Sequence, residues 1–182
     1  MTTPAAVTTT TDNNESSSNS SSGSNIAPTA RTSSTTISPF PTPEFLEAAA
    51  VRDLILAQRD QAASQRRVQI VDVRGSDFSE GKLPGALNVA SEGLKDMDRV
   101  DKLVEELMDK EMVIFHCGKS HQRGPQSAAR FLSRLQAATA AAVAAGKDVG
   151  PKVYVLKGGW EGWQKQYGEE EGMVEALEDI PM

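Results

Sequence analysis

Internal disulfide bonds are excluded from this chain, because Cys117 is the only cysteine among its 182 residues. A lone thiol suits a reducing compartment. Only two histidines are present, His116 and His121, and one cysteine with two histidines in a single stretch cannot complete a four-ligand zinc set, so no metal is expected. Long apolar runs are missing as well. The stretch AATAAAVAAG is too alanine-rich and too short to cross a bilayer. Residues 1–38 lack the basic start and apolar core of a secretory signal, and lack the repeated arginines of a mitochondrial presequence. These absences predict a cytoplasmic protein, with the nucleus as the second compartment, and no membrane partner.

Positive charge is in the minority, 19 Lys and Arg against 25 Asp and Glu, for a net charge of −6 and a pI near 5.0. Such a surface repels polyanions, so no nucleic-acid partner is expected. Lys119, His121 and Arg123, all close to Cys117, form a local basic exception. Residues 1–38 contain 20 Ser or Thr, no aromatic residue, and only Asp12, Glu15 and Arg31 as charges. A segment so poor in apolar surface cannot offset the entropy of ordering it and is expected to be disordered. What remains suits one domain, residues 39–168, followed by a loosely attached acidic tail, residues 169–182.

Hydrophobic spacing supplies the elements. PTPEFLEAAAVRDLILAQRDQ predicts a helix over 43–60, with Thr42 as N-cap and Pro43 in the first helical position. Val68, Ile70, Val71 and Val73 make a buried strand over 68–73, and LPGALNV adds a turn and a short second strand. Val100, Leu103, Val104 and Leu107 stand three or four apart, as on an amphipathic helix. EMVIFH is another buried strand, running straight into Cys117. Gly124 and Pro125 then lead into a helix whose Ala128, Phe131, Leu132 and Leu135 share a face and which Gly146 stops. A last strand over 153–156, a glycine turn and a short aromatic-bearing helix complete the order. Alternating strands and helices predict an α/β sandwich, a mostly parallel sheet with helices on both faces. Ligands of such sheets bind beyond the carboxyl ends of the strands, where the Cys117 loop lies.

A free thiol has a pKa of roughly 8.5, so a catalytic one needs neighbours that favour the thiolate. Cys117 leaves a strand and faces the start of a helix, whose unpaired N–H groups and dipole stabilise an anion. Arg123 adds a permanent charge. Five residues separate the two, which lets the amides of Gly118, Lys119, Ser120, His121 and Gln122 curl into an anion-binding nest that the guanidinium closes with two parallel bonds. The expected product is a cup holding a tetrahedral oxyanion above the sulfur, in line for attack. A lone cysteine at a strand end is also commonly an inert small hydrophobe; the spacing HC-x5-R between a buried strand and a Gly-Pro helix start favours the nucleophile. His116 either hydrogen-bonds inward to orient the loop or is simply a satisfied strand-end histidine.

Three motifs in order resemble those of the rhodanese-like domains: VDVRGSDFSEGKLPGALNV resembles their Asp-x-Arg and Gly-His-Ile-Pro-Gly-Ala-Leu-Asn signature, HCGKSHQRGP their cysteine loop, and VYVLKGGWEGW their closing Gly-Gly-aromatic turn. The resemblance spans residues 40–168 and implies a rhodanese-like three-layer sandwich. It also implies an activity, since sulfurtransferases of this family carry a six-residue loop, whereas the M-phase inducer phosphatases and yeast-type arsenate reductases carry seven, HC-x5-R, as here. By this resemblance Cys117 is the nucleophile, Arg123 the oxyanion clamp, and Asp72 and Arg74 a brace for the loop. The function expected is a cysteine-dependent phosphatase, an arsenate reductase, or both. Substrates would be a phosphorylated protein or a small oxyanion. No cofactor is expected to be bound, and a reductase would need glutathione, with glutaredoxin as a partner, because the chain has no second thiol. One departure concerns the acid. The inducer phosphatases have glutamate before the loop arginine, and Gln122 at that position cannot donate a proton to a leaving group. Asp77, Glu80 and His121 are the candidates left, each also readable as an ordinary loop residue. The alternatives are a thiosulfate sulfurtransferase and a non-catalytic binding module, for which Trp160, Trp163 and Tyr167 would be partner-facing rather than core.

Overall fold

A computed structural model describes residues 40–177. The expected disordered segment 1–38 and residues 178–182 lie outside the described residues. Among them run β1 (Glu44–Leu46), α1 (Ala48–Ala57), β2 (Val68–Asp72), β3 (Leu87–Asn88), α2 (Met97–Leu107), β4 (Met112–His116), α3 (Arg123–Ala144), β5 (Lys152–Leu156) and α4 (Gly159–Tyr167). All strand pairs are parallel, in the order β1-β5-β4-β2-β3.

Side chains alternate across a strand, and here the alternation splits the core in two. Val71, Val113, Phe115, Val153 and Val155 pack with Val100, Leu103 and Val104 of α2 and Ala128, Phe131 and Leu135 of α3. Ile70, Ile114 and Leu156 pack with Val51 and Ile55 of α1 and with Trp160 and Trp163 of α4. The result is the expected three-layer α/β sandwich, with helices on both faces. Burial of each large apolar side chain contributes about 1.5–3 kcal/mol, and the two layers share that gain between them. Trp160 and Trp163 are buried and Tyr167 packs 4.9 Å from the Trp163 ring, so these aromatics belong to the core, not to a partner surface.

Two local readings are corrected. Residues 44–46 form a strand instead of the first turn of a helix, because Glu44, Phe45 and Leu46 pair with Tyr154, Val155 and Leu156 of β5. The Thr-Pro entry signal is local, and pairing with an otherwise open sheet edge outweighs it; Pro43 is tolerated just before an edge strand. The helix therefore starts at Ala48, with Glu47 at its N-cap. The tail is also docked at its beginning. Met173 is fully buried, its carbonyl accepts the Trp163 indole N–H at 2.8 Å, Arg52 donates to Glu170 at 2.6 Å, and Lys82 and Glu175 form an antiparallel bridge. Acidity suggested a free end; Met173 and its neighbours close the α1/α4 face of the core instead.

Candidate active site

Parallel pairing sets the strand ends level. Asp72 of β2 lies opposite His116 of β4, and Val155 of β5 opposite Phe115, so the segments leaving β2 and β5 flank the one leaving β4. That middle segment carries Cys117. Its sulfur is nearly buried at the floor of an open cleft of about 460 Å³ lined by Asp77, Cys117, Gly118, Lys119, His121, Gln122, Arg123 and Glu161.

The loop curls through Ser120, whose φ of 54° is a left-handed conformation that few non-glycine residues adopt. This turn aims the Ser120 N–H at the Cys117 sulfur, 3.3 Å away. Gln122 precedes the 22-residue α3 without a side-chain cap; Pro125 has no N–H and that of Gln126 donates to the Gln122 carbonyl, so the first-turn donors not used within the helix are those of Arg123 and Gly124. The loop carbonyls turn the opposite way. Those of Cys117 and Gly118 accept from the Trp160 and Glu161 N–H groups, both at 2.9 Å, at the start of α4. Gly159 makes that approach feasible: its φ is 58°, and a Cβ there would lie 2.7 Å from the Gly118 carbonyl oxygen and closer still to that of Cys117. The Gly-Gly-aromatic turn is thus the outer half of the cysteine loop.

Beneath the loop lies a polar brace. Arg74 donates to both Asp72 carboxylate oxygens at 2.7–3.1 Å and to the Gly81 carbonyl at 2.6 Å. Its guanidinium sits between the rings of Phe78 and Trp160, 5.0 and 4.5 Å from their centroids. Asp72 and Arg74 do not line the cleft; they hold Trp160, whose backbone holds the Cys117 carbonyl. Asn88 fastens the same corner by donating to the carbonyls of Asp72 and Arg74 at 3.0 and 2.9 Å, which gives the Asn of the PGALN stretch its place. His116 is fully buried, its Nδ1 3.3 Å from the Cys117 carbonyl oxygen and its Nε2 3.6 Å from Asp72. Burial pushes the imidazole below the ordinary histidine range, more strongly than the Asp72 charge lifts it, so His116 is neutral at neutral pH. It points inward, its Nδ1 toward the carbonyl at the base of the loop.

The cleft itself holds two ion pairs. Arg123 donates from Nη1 and Nη2 to the two oxygens of Asp77, at 2.7 and 2.6 Å, and Lys119 lies 3.7 Å from Glu161. Hydrogen bonding to Arg123 holds the Asp77 carboxyl far below the usual range, and the same pairing raises the guanidinium, with the Cys117 sulfur adding in the same direction. The basic patch expected from Lys119, His121 and Arg123 is accordingly matched by carboxylates from both flanking segments. Of the acid candidates, Asp77 and His121 line the cleft, while Glu80 is exposed and does not. Glu161 was not foreseen. The closing turn resembling the family's could have revealed it, since the second residue after Gly159 must face the cysteine loop. Among the described residues, no group of three or more metal-ligating side chains is placed to hold a metal.

A parallel three-layer sandwich with a cysteine loop running from a central strand into a helix is a recognisable class of α/β protein. The sequence profile of the rhodanese-like domain matches residues 56–166, and the chain belongs to that family. The dual specificity phosphatase ibp1 of Schizosaccharomyces pombe is 31% identical over 121 residues, covering 62% of this chain and 86% of that protein. Arsenate reductase 2.2 of Oryza sativa subsp. japonica is 30% identical over 99 residues, covering 54% and 70%. The solved structure of the As-Sb reductase from Leishmania major superposes with a TM-score of 0.59 at 26% identity, over 74% of this chain and 86% of that one. The group indicated by the three motifs, with phosphatases and arsenate reductases as its members, is the group found.

Proposed function

We propose that this chain is a cysteine-dependent enzyme acting on tetrahedral oxyanions, as a phosphatase on phosphomonoesters, an arsenate reductase, or both. The observation that carries the reading is the Cys117 sulfur at the cleft floor, with the Ser120 N–H directed at it and Arg123 beside it on the first turn of α3. Relatives named as phosphatases and as reductases of arsenic species share this fold, which supports one nucleophile serving both electrophiles.

Cys117 attacks the central atom as thiolate. Arg123 and the amides of residues 118–122 take the equatorial oxygens, where charge grows in the transition state. With a phosphomonoester, the S–P bond forms as the ester P–O bond breaks; the leaving oxygen takes up a proton, and water then cleaves the S–P bond to release phosphate. Gln122 cannot supply that proton, and Asp77, held as a carboxylate by Arg123 in the free protein, carries none to give; His121 and Glu161 are the other acid candidates lining the cleft. With arsenate, two electrons are required. Two thiols become one disulfide while arsenate becomes arsenite and water. Cys117 supplies one sulfur and an external thiol, glutathione, the other, since the chain has no second cysteine; a glutaredoxin then reduces the mixed disulfide.

Three parallel assays test the reading: p-nitrophenyl phosphate hydrolysis, arsenate reduction with glutathione and glutaredoxin, and transfer of sulfur from thiosulfate to cyanide. Activity is expected in the first or second and absent in Cys117→Ser. A thiosulfate rate far above the other two would instead make the chain a sulfurtransferase.

A further inference from the structure

The two oxygens of Asp77 occupy both terminal nitrogens of Arg123, the same fork that a bound oxyanion needs. Nothing about this contact is incidental to the loop. The Gly75 N–H donates to Asp77 Oδ1 at 3.0 Å and the Phe78 N–H closes a turn onto the Gly75 carbonyl at 3.0 Å, so the segment leaving β2 presents the carboxylate to the cysteine loop. The Oδ2 atom lies 3.7 Å from the position a Cβ on Gly118 would take, at the surface of the loop itself. On the opposite wall Glu161 faces Lys119, leaving the Arg123 fork as the place where an incoming anion meets a competitor already seated.

We propose that Asp77 is a specificity-determining positioning residue: in the free protein its carboxylate stands in the oxyanion subsite on Arg123, and only an anion that outbids a tethered carboxylate enters. Planar, singly charged anions such as acetate or formate offer Arg123 what Asp77 already gives, without its tether. A tetrahedral phosphate or arsenate offers a second charge and further oxygens for the loop amides, which a carboxylate cannot reach at once. Both partners are well exposed, so the pair is weak enough to be exchanged. The inference rests on the proposed role of Arg123 as the clamp for substrate oxygens.

Protection of Cys117 from iodoacetamide measures anion binding as a ratio of rates within one protein, independently of each variant's intrinsic thiol reactivity. Inorganic phosphate is expected to protect Asp77→Asn at about ten-fold lower concentration than the unaltered protein, and acetate to protect the variant alone. Asp77→Ser should behave in the same way, with circular dichroism and unfolding midpoints close to the parent. In an Arg123→Ala background, replacing Asp77 should shift nothing, which a general change in cleft charge would not reproduce. Phosphate protection that is unchanged or weaker in both Asp77 variants, alongside protection and turnover in the parent, overturns the competition and leaves the enzyme reading intact. If neither phosphate nor arsenate protects any form, both fall together.

Discussion

Removing Asp72 isolates a positive charge in the centre of the molecule. Arg74 and Asp72 are 1% and 0% exposed, and the Nη1 atom of Arg74 already has no protein partner. In Asp72→Ala three of the guanidinium's hydrogen bonds disappear, and the Gly81 carbonyl and two aromatic faces are left to hold the ion. Breaking a buried pair from one side costs about 3–5 kcal/mol, because the surviving charge is neither solvated nor paired. A domain of this size has about 5–15 kcal/mol in total, so the variant sits near the edge of folding at 37 °C. Urea unfolding followed by tryptophan fluorescence should show the loss directly, since Trp160 lies on the guanidinium. The double replacement Asp72→Leu with Arg74→Met should recover much of it, as apolar substitutes of similar volume commonly do. A cost below about 1 kcal/mol for Asp72→Ala, or a double variant no better than the single one, would refute the view that an unpaired buried charge controls this corner.

Three further outcomes follow from the same geometry. Gly159→Ala should cost at least about 1–2 kcal/mol from its positive φ alone, and should also displace the Cys117 carbonyl, so that phosphate no longer protects the thiol; parental stability and protection would show that the turn does not buttress the loop. His116 has a depressed folded-state value, so below the ordinary histidine range near pH 6.5 the unfolded chain takes up a proton that the folded one refuses, and stability falls as pH falls. The urea midpoint should therefore drop between pH 7 and pH 5 in the parent and drop less in His116→Gln. Met173→Ala should cost about 2–5 kcal/mol if residues 170–175 are part of the core, as its complete burial requires; a loss of a few tenths would return that segment to the status of a tail.

The strands around the site were legible because they are apolar and short. Residues 68–73, EMVIFH and residues 153–156 each read as strands from the sequence, against Val68–Asp72, Met112–His116 and Lys152–Leu156 in the structure, and parallel α/β topology then sent Cys117 to a carboxyl edge. Cys117 and Arg123 could be paired because their spacing is local. Contacts between distant segments were not legible. No local signal says that Glu44 to Leu46 will pair with β5, and a Thr-Pro helix entry argues against it. Asp77 and Glu161 stand 40 residues before and 44 after Cys117, so their meeting across the cleft depends on strand order, which periodicity does not give. The Asp-x-Arg element was visible as a motif, yet its action through the Trp160 ring and backbone becomes clear only once α4 is laid over β2 and β4.

Two Asp-Arg pairs have aspartates five residues apart, Asp72 at the end of β2 and Asp77 in the segment that leaves it, with nearly the same bidentate chemistry and opposite uses. Asp72 and Arg74 are sealed from water, so separating them is expensive and the pair is fixed. Asp77 and Arg123 are 44% and 41% exposed, so water and salt screen them and the pair can be exchanged for another anion. Burial alone therefore divides the work: an ion pair that braces the loop must be dry, and one that yields to substrate must be wet. If added salt loosened both equally, that division would be wrong. Concentrated chloride should instead weaken the hold of Asp77 on Arg123 while leaving the Asp72 brace untouched.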